Sequence, residues 1–178
     1  MQSYIKNEPS NLSGKSGEGI LRYGQYSDLD KIHHLLEPFF KKGILLNKDR
    51  KKIEADLPRT LVYCLHDQII GVANLYKYDK DLYELRGLAI DEKYQKSGIG
   101  RKLIHKLVRD LTMEFPDQET TIFALTKVPE FFIKQGWKLV KKEKFPRKIF
   151  DDCTYCLKKD ECFEDAVEIV LNRPEDIL

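Results

Sequence analysis

The sequence contains neither a long hydrophobic run nor a large excess of one charge. None of its apolar stretches approaches the roughly 20 residues that a membrane-spanning helix needs, so we expect no membrane association. Its 178 residues include 31 Lys and Arg against 29 Asp and Glu, which gives a formal net charge of +2. This small surplus argues against nucleic-acid binding by bulk electrostatics, although it leaves room for a local basic patch.

The N-terminal region lacks the apolar core of a signal peptide. It is polar and rich in Ser, Gly and Asn, so we interpret residues 1–18 as a flexible lead-in. A single domain over 19–172 and a short tail over 173–178 account for the rest. We expect a cytoplasmic protein with reduced thiols, because nothing in the sequence indicates export.

No internal repeat is present, and hydrophobic periodicity predicts elements in the order β-α-α-β-β-β-α-β-α-β, with a last strand within 163–171. Ser27 and Asp30 resemble a capping box at the start of the first helix. Pro38 lies within that helix pattern and is expected to kink or end it. A strand, glycine loop, helix and strand in the second half imply a parallel crossover joined to an antiparallel meander. We therefore expect an α/β (α+β) fold with a mixed, mostly antiparallel sheet of about six or seven strands and about four flanking helices.

The glycine loop is the most informative local feature. The segment Gln95-Lys96-Ser97-Gly98-Ile99-Gly100 lies between a predicted strand and a predicted helix. Glycines allow close backbone approach, and a helix N-terminus offers free N–H groups and a positive dipole end to a pyrophosphate. Lys96, Arg101 and Lys102 add positive charge. The Walker A pattern and the dinucleotide fingerprint G-x-G-x-x-G are both absent, and the alternative interpretation of the loop is a plain turn before a helix.

The context of the loop resembles a known family. The stretch Leu88-Ala89-Ile90-Asp91-x-x-Tyr94-Gln95-x-x-Gly98-Ile99-Gly100-Arg101-x-Leu103 is similar to motif A of the GNAT acetyltransferases, and the resemblance covers roughly 19–140. It implies the GNAT fold and acetyl-CoA as co-substrate. By this resemblance, Leu88–Ile90 hold the pantetheine arm, the loop holds the phosphates, and the segment around Thr126 and the next helix close over the thiol. The implied acetyl-CoA-binding residues are Leu88, Ala89, Ile90, Gln95, Lys96, Ser97, Gly98, Ile99, Gly100, Arg101, Thr126, Phe131 and Phe132.

Three further segments resemble short bacterial N-acetylglutamate synthases. They are Gly43–Leu46, the stretch from Ile122 to Trp137 with its FALT and PEFF letters, and Phe145–Cys156. The resemblance implies acetyl transfer to the α-amino group of L-glutamate, the first step of acetylated arginine biosynthesis. The implied partner is this small amine, with a homodimer as a possible assembly. The sequence leaves open two alternatives, a GNAT enzyme for another amino acid, small amine or protein lysine, and a non-catalytic acetyl-CoA-binding regulatory module.

A dicarboxylate acceptor needs cationic or N–H donors in its pocket. The candidate cations are Lys48, Arg50, Arg86, Arg147 and Lys148, each of which could instead be a solvated surface cation. We predict Lys48, Arg86, Gly87 and Lys148 as the substrate-binding residues. Lys48 stands where the synthase family has Arg, and a lysine cannot reproduce a bidentate guanidinium clamp.

Glu84 is the predicted general base, by its resemblance to the glutamate proposed for that role in the synthases. The family also implies a β-bulge near Arg86-Gly87, which would change the alternation of side chains along the strand. The alternative for Glu84 is a structural ion pair with Arg86 or a cross-strand partner on an exposed face. A backbone N–H near Leu88–Ile90 would meet the oxyanion. The general acid is not identifiable, with Tyr94 and Tyr155 as weak candidates.

Cys153, Cys156 and Cys162 form a C-x2-C-x5-C cluster near the C-terminus. Three thiols without a local fourth ligand are a weak zinc signal, although Asp160 or Glu164 could complete a site. We expect no metal. The alternatives are packing of this segment against the sheet and a redox-sensitive pair at Cys153 and Cys156. Cys64 lies in an apolar strand and is interpreted as an ordinary core thiol.

Overall fold

A seven-stranded mixed sheet organises the protein, and the computed structural model describes residues 19–154, 156 and 162–172 of it. The strands are β1 (Ile20–Tyr23), β2 (Thr60–Leu65), β3 (Gln68–Lys77), β4 (Leu82–Ile90), β5 (Thr120–Thr126), β6 (Lys138–Val140) and β7 (Asp165–Leu171). The helices are α1 (Leu29–Lys41), α2 (Arg50–Asp56), α3 (Ile99–Glu114), α4 (Pro129–Ile133) and α5 (Pro146–Lys148), with a π-helical turn over Ile149–Cys153. The predicted lead-in (1–18) and tail (173–178) lie outside the described residues.

The strand order is β1-β2-β3-β4-β5-β7-β6. Every neighbouring pair is antiparallel except β4 and β5, which are parallel. The two are joined by α3, as a parallel crossover requires. The predicted fold class, a mixed and mostly antiparallel sheet with flanking helices, is therefore confirmed.

The start of α1 differs from the predicted capping box. Ser27 lies inside a 3-10 turn (Tyr26–Asp28), and the helix begins one residue after Asp28. The box is formed instead by Gln25 and Asp28, because the Gln25 backbone N–H donates to Asp28 Oδ2 at 2.8 Å. Arg22 of β1 holds the same carboxylate with two hydrogen bonds of 2.6 and 2.9 Å. With Asp28 held by Arg22, the capping box forms earlier in the chain than expected. The prediction of Ser27 as N-cap was wrong.

Pro38 does not end α1, which continues to Lys41. The buried face of the helix, with Leu29, Ile32, Leu35 and Leu36, packs against β2, β3 and β4 through residues such as Val62 and Val72. Tertiary packing of this apolar stripe stabilises the helix through the proline, as it commonly does for amphipathic helices.

The two faces of the sheet carry separate cores. The α3 side chains Leu103, Ile104, Leu107 and Leu111 pack on one face together with residues of β2 to β5 and β7. On the other face, α1 and α2 cover β2, β3 and the end of β4. A third cluster lies beyond them, where Phe123 of β5 stacks on Phe145 with ring centroids 3.9 Å apart.

Two irregularities of β4 create the space for a site. Val72 pairs with Ala89 and Asn74 pairs with Arg86, so two residues of β4, Gly87 and Leu88, oppose Ala73 alone and form a bulge. The φ of Gly87 is +60°. The predicted bulge is thus confirmed. The pairing of β4 with β5 covers only Leu82–Glu84 against Thr121–Phe123, although β4 continues to Ile90 and β5 to Thr126. The two parallel strands therefore part after Glu84.

Candidate functional site

The N-terminus of α3 lies beside this opening. Gly98 is the N-cap residue with φ +86°, a left-handed conformation that glycine adopts without strain. The first intrahelical bond runs from the Lys102 N–H to the Gly98 carbonyl at 3.0 Å. The N–H groups of the preceding first-turn residues have no acceptor within the helix. At the start of a helix of 16 residues, these groups form a site suited to an anion such as a phosphate.

The loop before α3 is held by its own short-range contacts. The Gln95 side chain donates from Nε2 to the Ile90 carbonyl at 3.1 Å, and Ser97 Oγ donates to the Tyr94 carbonyl at 2.5 Å. Lys96 has φ +61°, an uncommon conformation for a non-glycine residue. Gln95 and Ser97 thus shape the loop through their side chains, and Lys96 and Arg101 lie exposed around the helix start.

Helix α4 closes the other side of the loop. A Cβ added at Gly100 would lie 3.3 Å from Cζ of Phe131 and 3.9 Å from Cγ1 of Ile90. Glycine at this position therefore permits close approach of α3 to α4, which is a different role from that of Gly98. Thr126, at the end of β5, accepts the Val128 N–H at 3.1 Å and shapes the turn into α4. Phe132 is buried in the core against Trp137, so Phe131 is the aromatic residue that faces the loop.

A charge network occupies the sheet face opposite α3, at the point where β4 and β5 part. We define it as Tyr78, Glu84, Arg86, Lys148 and Asp152. Arg86 Nε contacts Glu84 Oε2 at 2.5 Å and Lys148 Nζ contacts Glu84 Oε1 at 2.8 Å. Tyr78 donates its hydroxyl to Glu84 Oε2 at 3.0 Å and also accepts from Arg86 Nη2. Glu84 is thus a fully engaged carboxylate whose side chain is 4% exposed.

Asp152 completes the network from the π-helical turn. Its Oδ2 contacts Arg86 Nη2 at 2.6 Å and Lys148 Nζ at 2.9 Å. It also lies 3.2 Å from the Tyr78 hydroxyl, whose single proton can be donated either to Asp152 or to Glu84. Two cations therefore bridge two carboxylates, and the formal charge of the network is zero.

Electrostatics keeps Arg86, Tyr78 and Asp152 in their usual charge states. Burial lowers the pKa of Arg86, but the charge and hydrogen bond of Glu84 outweigh it and raise that pKa further. Burial and the charge of Glu84 raise the pKa of Tyr78, so its phenol keeps its proton. Burial raises the pKa of Asp152, but the hydrogen bond and charge of Lys148 outweigh it and lower that pKa overall.

The structure brings together three of the predicted acceptor-site residues and separates others. Glu84, Arg86 and Lys148 are in direct contact, with Gly87 at the adjoining bulge. The predicted alternative, a Glu84–Arg86 ion pair, is present, although it is buried rather than exposed. Lys48 pairs instead with Asp56 at 2.5 Å.

The Asp56 carbonyl links the Lys48 pair to the same sheet face. It accepts from Asn74 Nδ2 at 3.0 Å, and Asn74 is the β3 partner of Arg86. The remaining candidate cations have other partners. Arg50 pairs with exposed Asp30, and Arg147 Nη1 donates to the Tyr78 carbonyl at 2.6 Å.

Sequence reasoning missed two members of the network, Tyr78 and Asp152. Asp152 follows Lys148 by four residues, a spacing at which opposite charges pair on a helix. That pattern could have indicated it. Tyr78 lies six positions before its partner Glu84, but no regular helix or strand spacing joins the two residues, so no sequence pattern marks it.

The cysteine cluster does not assemble a metal site within the described ranges. No group of three or more His, Cys, Asp or Glu side chains there could hold a metal ion. Cys162 lies 3.6 Å from Lys142 Nζ and 3.8 Å from Glu164, and burial raises the pKa of the Cys153 thiol. Tyr155 and Asp160, named as candidates above, lie outside the described residues. Cys64 is a half-buried free thiol beside the α1 core, where burial raises its pKa.

The part of the chain that the structure describes contains no helix long and apolar enough to cross a membrane. Comparison with known proteins adds to this geometry. The pattern of the acetyltransferase (GNAT) family matches residues 29–126, more than half of the chain. An uncharacterised N-acetyltransferase of Chlorobaculum tepidum is 33% identical over 152 residues, which cover 85% of this chain and 96% of that protein.

Other relatives carry a more specific name. An amino-acid acetyltransferase of Mycobacterium tuberculosis is 26% identical over 75% of this chain and 76% of its own. One of Pseudomonas fluorescens is 26% identical over 71% of this chain, which spans only 29% of that longer protein.

The same fold occurs in solved structures. N-acetylglutamate synthase of Neisseria gonorrhoeae, complexed with coenzyme A and N-acetyl-glutamate, superposes with a TM-score of 0.73 at 21% identity, over 89% of this chain and 36% of that one. A protein of Mycobacterium tuberculosis in complex with CoA superposes with a TM-score of 0.70 at 23% identity, over 85% and 99%. With its family pattern, its relative in Chlorobaculum and this shared fold, the chain belongs to the GNAT family of N-acetyltransferases.

Proposed function

We propose that this protein transfers the acetyl group of acetyl-CoA to the α-amino group of L-glutamate, giving N-acetyl-L-glutamate for arginine biosynthesis. The observation that carries the proposal is the position of the charge network. It lies where β4 and β5 part, on the strand that leads into the anion-binding N-terminus of α3. The relatives named amino-acid acetyltransferase support this substrate class.

Acetyl-CoA fits the α3 side of the opening. Its pyrophosphate would be held by the first-turn N–H groups, with Lys96 and Arg101 contributing positive charge. Residues Leu88–Ile90 of β4 lie beyond the end of the pairing with β5. Their edge facing β5 can therefore bond the amides of the pantetheine arm, as an added strand would. Phe131 and Thr126 flank the region that the thiol end would reach.

The acceptor fits the network side. Arg86 and Lys148 both contact Glu84, at the point where β4 and β5 part. Lys48 is linked to the same sheet face, because it pairs with Asp56, whose carbonyl accepts from Asn74. Glutamate has two carboxylates, and charge-assisted hydrogen bonds to such cations are the strongest available for binding them. The same cations would position the α-amino group near Glu84.

Glu84 is the proposed general base. The substrate ammonium must lose a proton before its nitrogen can attack the thioester carbon. When acceptor carboxylates engage Arg86 and Lys148, a lone pair of Glu84 becomes available for that proton. The new C–N bond then forms, and the oxyanion accepts a hydrogen bond from an N–H of the Leu88–Ile90 backbone. The C–S bond breaks, and the departing CoA thiolate takes the second proton of the acylated nitrogen, which gives the amide and free CoA thiol.

A second candidate is acetylation of a different amine. The network balances its two cations with two carboxylates, so it offers no surplus positive charge to an acidic acceptor. The Chlorobaculum relative is uncharacterised and does not narrow the choice. This balance favours a neutral or basic amine if neither carboxylate moves.

Thiol release from acetyl-CoA by the purified protein tests the proposal. The panel comprises L-glutamate, L-glutamine, L-aspartate, a polyamine and a lysine peptide, with N-acetyl-L-glutamate identified by mass spectrometry. We expect release that depends on L-glutamate. Release with another amine but not with glutamate would establish the second candidate. Acetyl-CoA binding without release for any amine would favour a non-catalytic module.

A further inference from the structure

The two carboxylates of the network are held differently. Glu84 projects from the sheet, and both of its oxygens are engaged, Oε1 by Lys148 and Oε2 by Arg86 and Tyr78. Asp152 stands on the short π-helical turn with its side chain 26% exposed, against 4% for Glu84. Its contacts with Arg86, Lys148 and Tyr78 all reach one oxygen, Oδ2. Among the residues that the structure describes, Asp152 is therefore the more accessible and less completely bound of the two carboxylates.

From this asymmetry we propose that Asp152 occupies the place of an acceptor carboxylate and is displaced by it, so that Asp152 sets the selectivity for acidic acceptors. The inference rests on the proposed function. In the free protein Asp152 neutralises Arg86 and Lys148. In the acceptor complex the side-chain (γ) carboxylate of the substrate takes over these two contacts, and the Asp152 side chain turns to solvent.

Charge and geometry both favour this exchange. Release of Asp152 leaves Arg86 and Lys148 paired only with Glu84, one negative charge short of neutrality. An incoming carboxylate restores the balance and the charge-assisted hydrogen bonds. A neutral amide such as that of glutamine cannot restore it, so glutamine would leave Asp152 in place. The displaced residue thereby rejects acceptors that lack a carboxylate at this position.

The proposed exchange requires movement of the Asp152 side chain only. The π-helical turn Ile149–Cys153 is closed by a hydrogen bond from the Thr154 N–H to the Ile149 carbonyl at 2.9 Å. Rotation of the Asp152 side chain alone breaks its three contacts without moving the sheet or the Lys148 backbone. Phe150, exposed on the same turn, and Asp151 already face solvent.

The test compares Asp152→Asn with Asp151→Asn in the full chain. Both remove one negative charge from adjacent positions, but only Asp152 contacts the cations. We expect Asp152→Asn to lower KM for L-glutamate on the order of tenfold, the size expected for one charge-assisted hydrogen bond. Its KM for L-glutamine should not fall, and Asp151→Asn, at a residue outside the network, should leave KM for L-glutamate unchanged.

The outcomes separate this inference from the proposed function. Wild-type activity on glutamate with an unchanged or higher KM in Asp152→Asn would overturn the role of Asp152 alone. An equal fall in KM for Asp151→Asn would also overturn it, because bulk charge would then explain the effect. No glutamate-dependent release by wild type or variant would reject both proposals. Release by Asp152→Asn but not by wild type would overturn displacement, because Asp152 would then block the acceptor instead of yielding to it.

If Asp152→Asn fails to fold, a binding measurement on the wild type can still test the displacement of Asp152. The ¹³C resonance of the Asp152 carboxyl should shift when saturating L-glutamate is added in the presence of CoA, and should not shift with L-glutamine. A resonance that is unmoved by glutamate, while other residues of the network respond, would contradict displacement.

Discussion

The α3 loop and the charge network both adjoin strand β4 but are built in opposite ways. The loop is contiguous, and its contacts join near neighbours, such as Gln95 to Ile90 and Ser97 to Tyr94. The network joins Tyr78, just after β3, to β4, α5 and the π-helical turn, and Tyr78 and Asp152 are separated by 74 positions. The loop presents backbone N–H groups, whereas the network presents buried side chains. One site thus depends on local conformation, and the other depends on the whole fold.

This comparison predicts that variants of the two regions affect different kinetic parameters. Loop variants should change KM for acetyl-CoA, and network variants should change the parameters for the acceptor. A network variant that weakens acetyl-CoA binding would break the division. The predictions below test it from both sides.

The largest effect is expected for Glu84→Gln. Loss of the proposed base should lower kcat about 10²- to 10⁴-fold, while KM for acetyl-CoA stays near wild type. Steady-state thiol release at saturating glutamate measures this. Because Glu84 is buried between two cations, circular dichroism must show that the variant is folded. Full activity in a folded Glu84→Gln protein would leave the ion pair as the whole role of this residue.

Lys148→Met should raise KM for the acceptor about 10- to 100-fold, since it removes a charge-assisted contact. Methionine retains much of the apolar volume of the lysine stem, which is buried here. Lys138→Met, at an exposed position of β6, is the matched control and should have no effect. An unchanged acceptor KM in Lys148→Met would assign Lys148 to the stability of the network alone.

Glu84 and Lys148 also show how much of the fold and of the site the sequence could predict. Alternation and turn signals predicted β4 and the crossover through α3, because each is written in consecutive residues. The bulge in β4 was implied by the family resemblance. The Glu84–Arg86 pair was also foreseen as an alternative. Its burial was not, because the cover comes from Lys148 and Asp152, far along the chain. The cap of α1 was misplaced for the same reason, since Arg22 of another element recruits Asp28.

Gly98→Ala tests the local site. A left-handed conformation costs a non-glycine residue about 1–2 kcal/mol, so the loop should relax and KM for acetyl-CoA should rise about fivefold or more. Gly136→Ala is a matched control. Both glycines have positive φ, +86° and +87°, and open space around an added Cβ. Equal backbone strain at Gly136 should therefore lower stability without changing KM for acetyl-CoA.

Stability in acid tests the charge state of the network. The folded-state pKa of Asp152 lies below its ordinary value of 3.8. Its ionised form therefore stabilises the fold above that value, and this contribution disappears as pH falls through the lower folded pKa. Urea unfolding should show wild type more stable than Asp152→Asn at neutral pH, with the difference vanishing in acid below 3.8. A difference that is independent of pH would show that the charge of Asp152 contributes nothing.

The smallest effect is expected for Arg101→Gln, and it is the sharpest test of a backbone-built site. Arg101 is exposed at the first turn of α3, where an exposed charge contributes little and is screened by salt. KM for acetyl-CoA should rise about two- to threefold at low salt, and the rise should vanish near 1 M salt, where the screening length is about 3 Å. A large rise that persists in salt would mean that side chains, not N–H groups, hold the phosphates. The loop would then be built on the same principle as the network, and the contrast between the two regions would disappear.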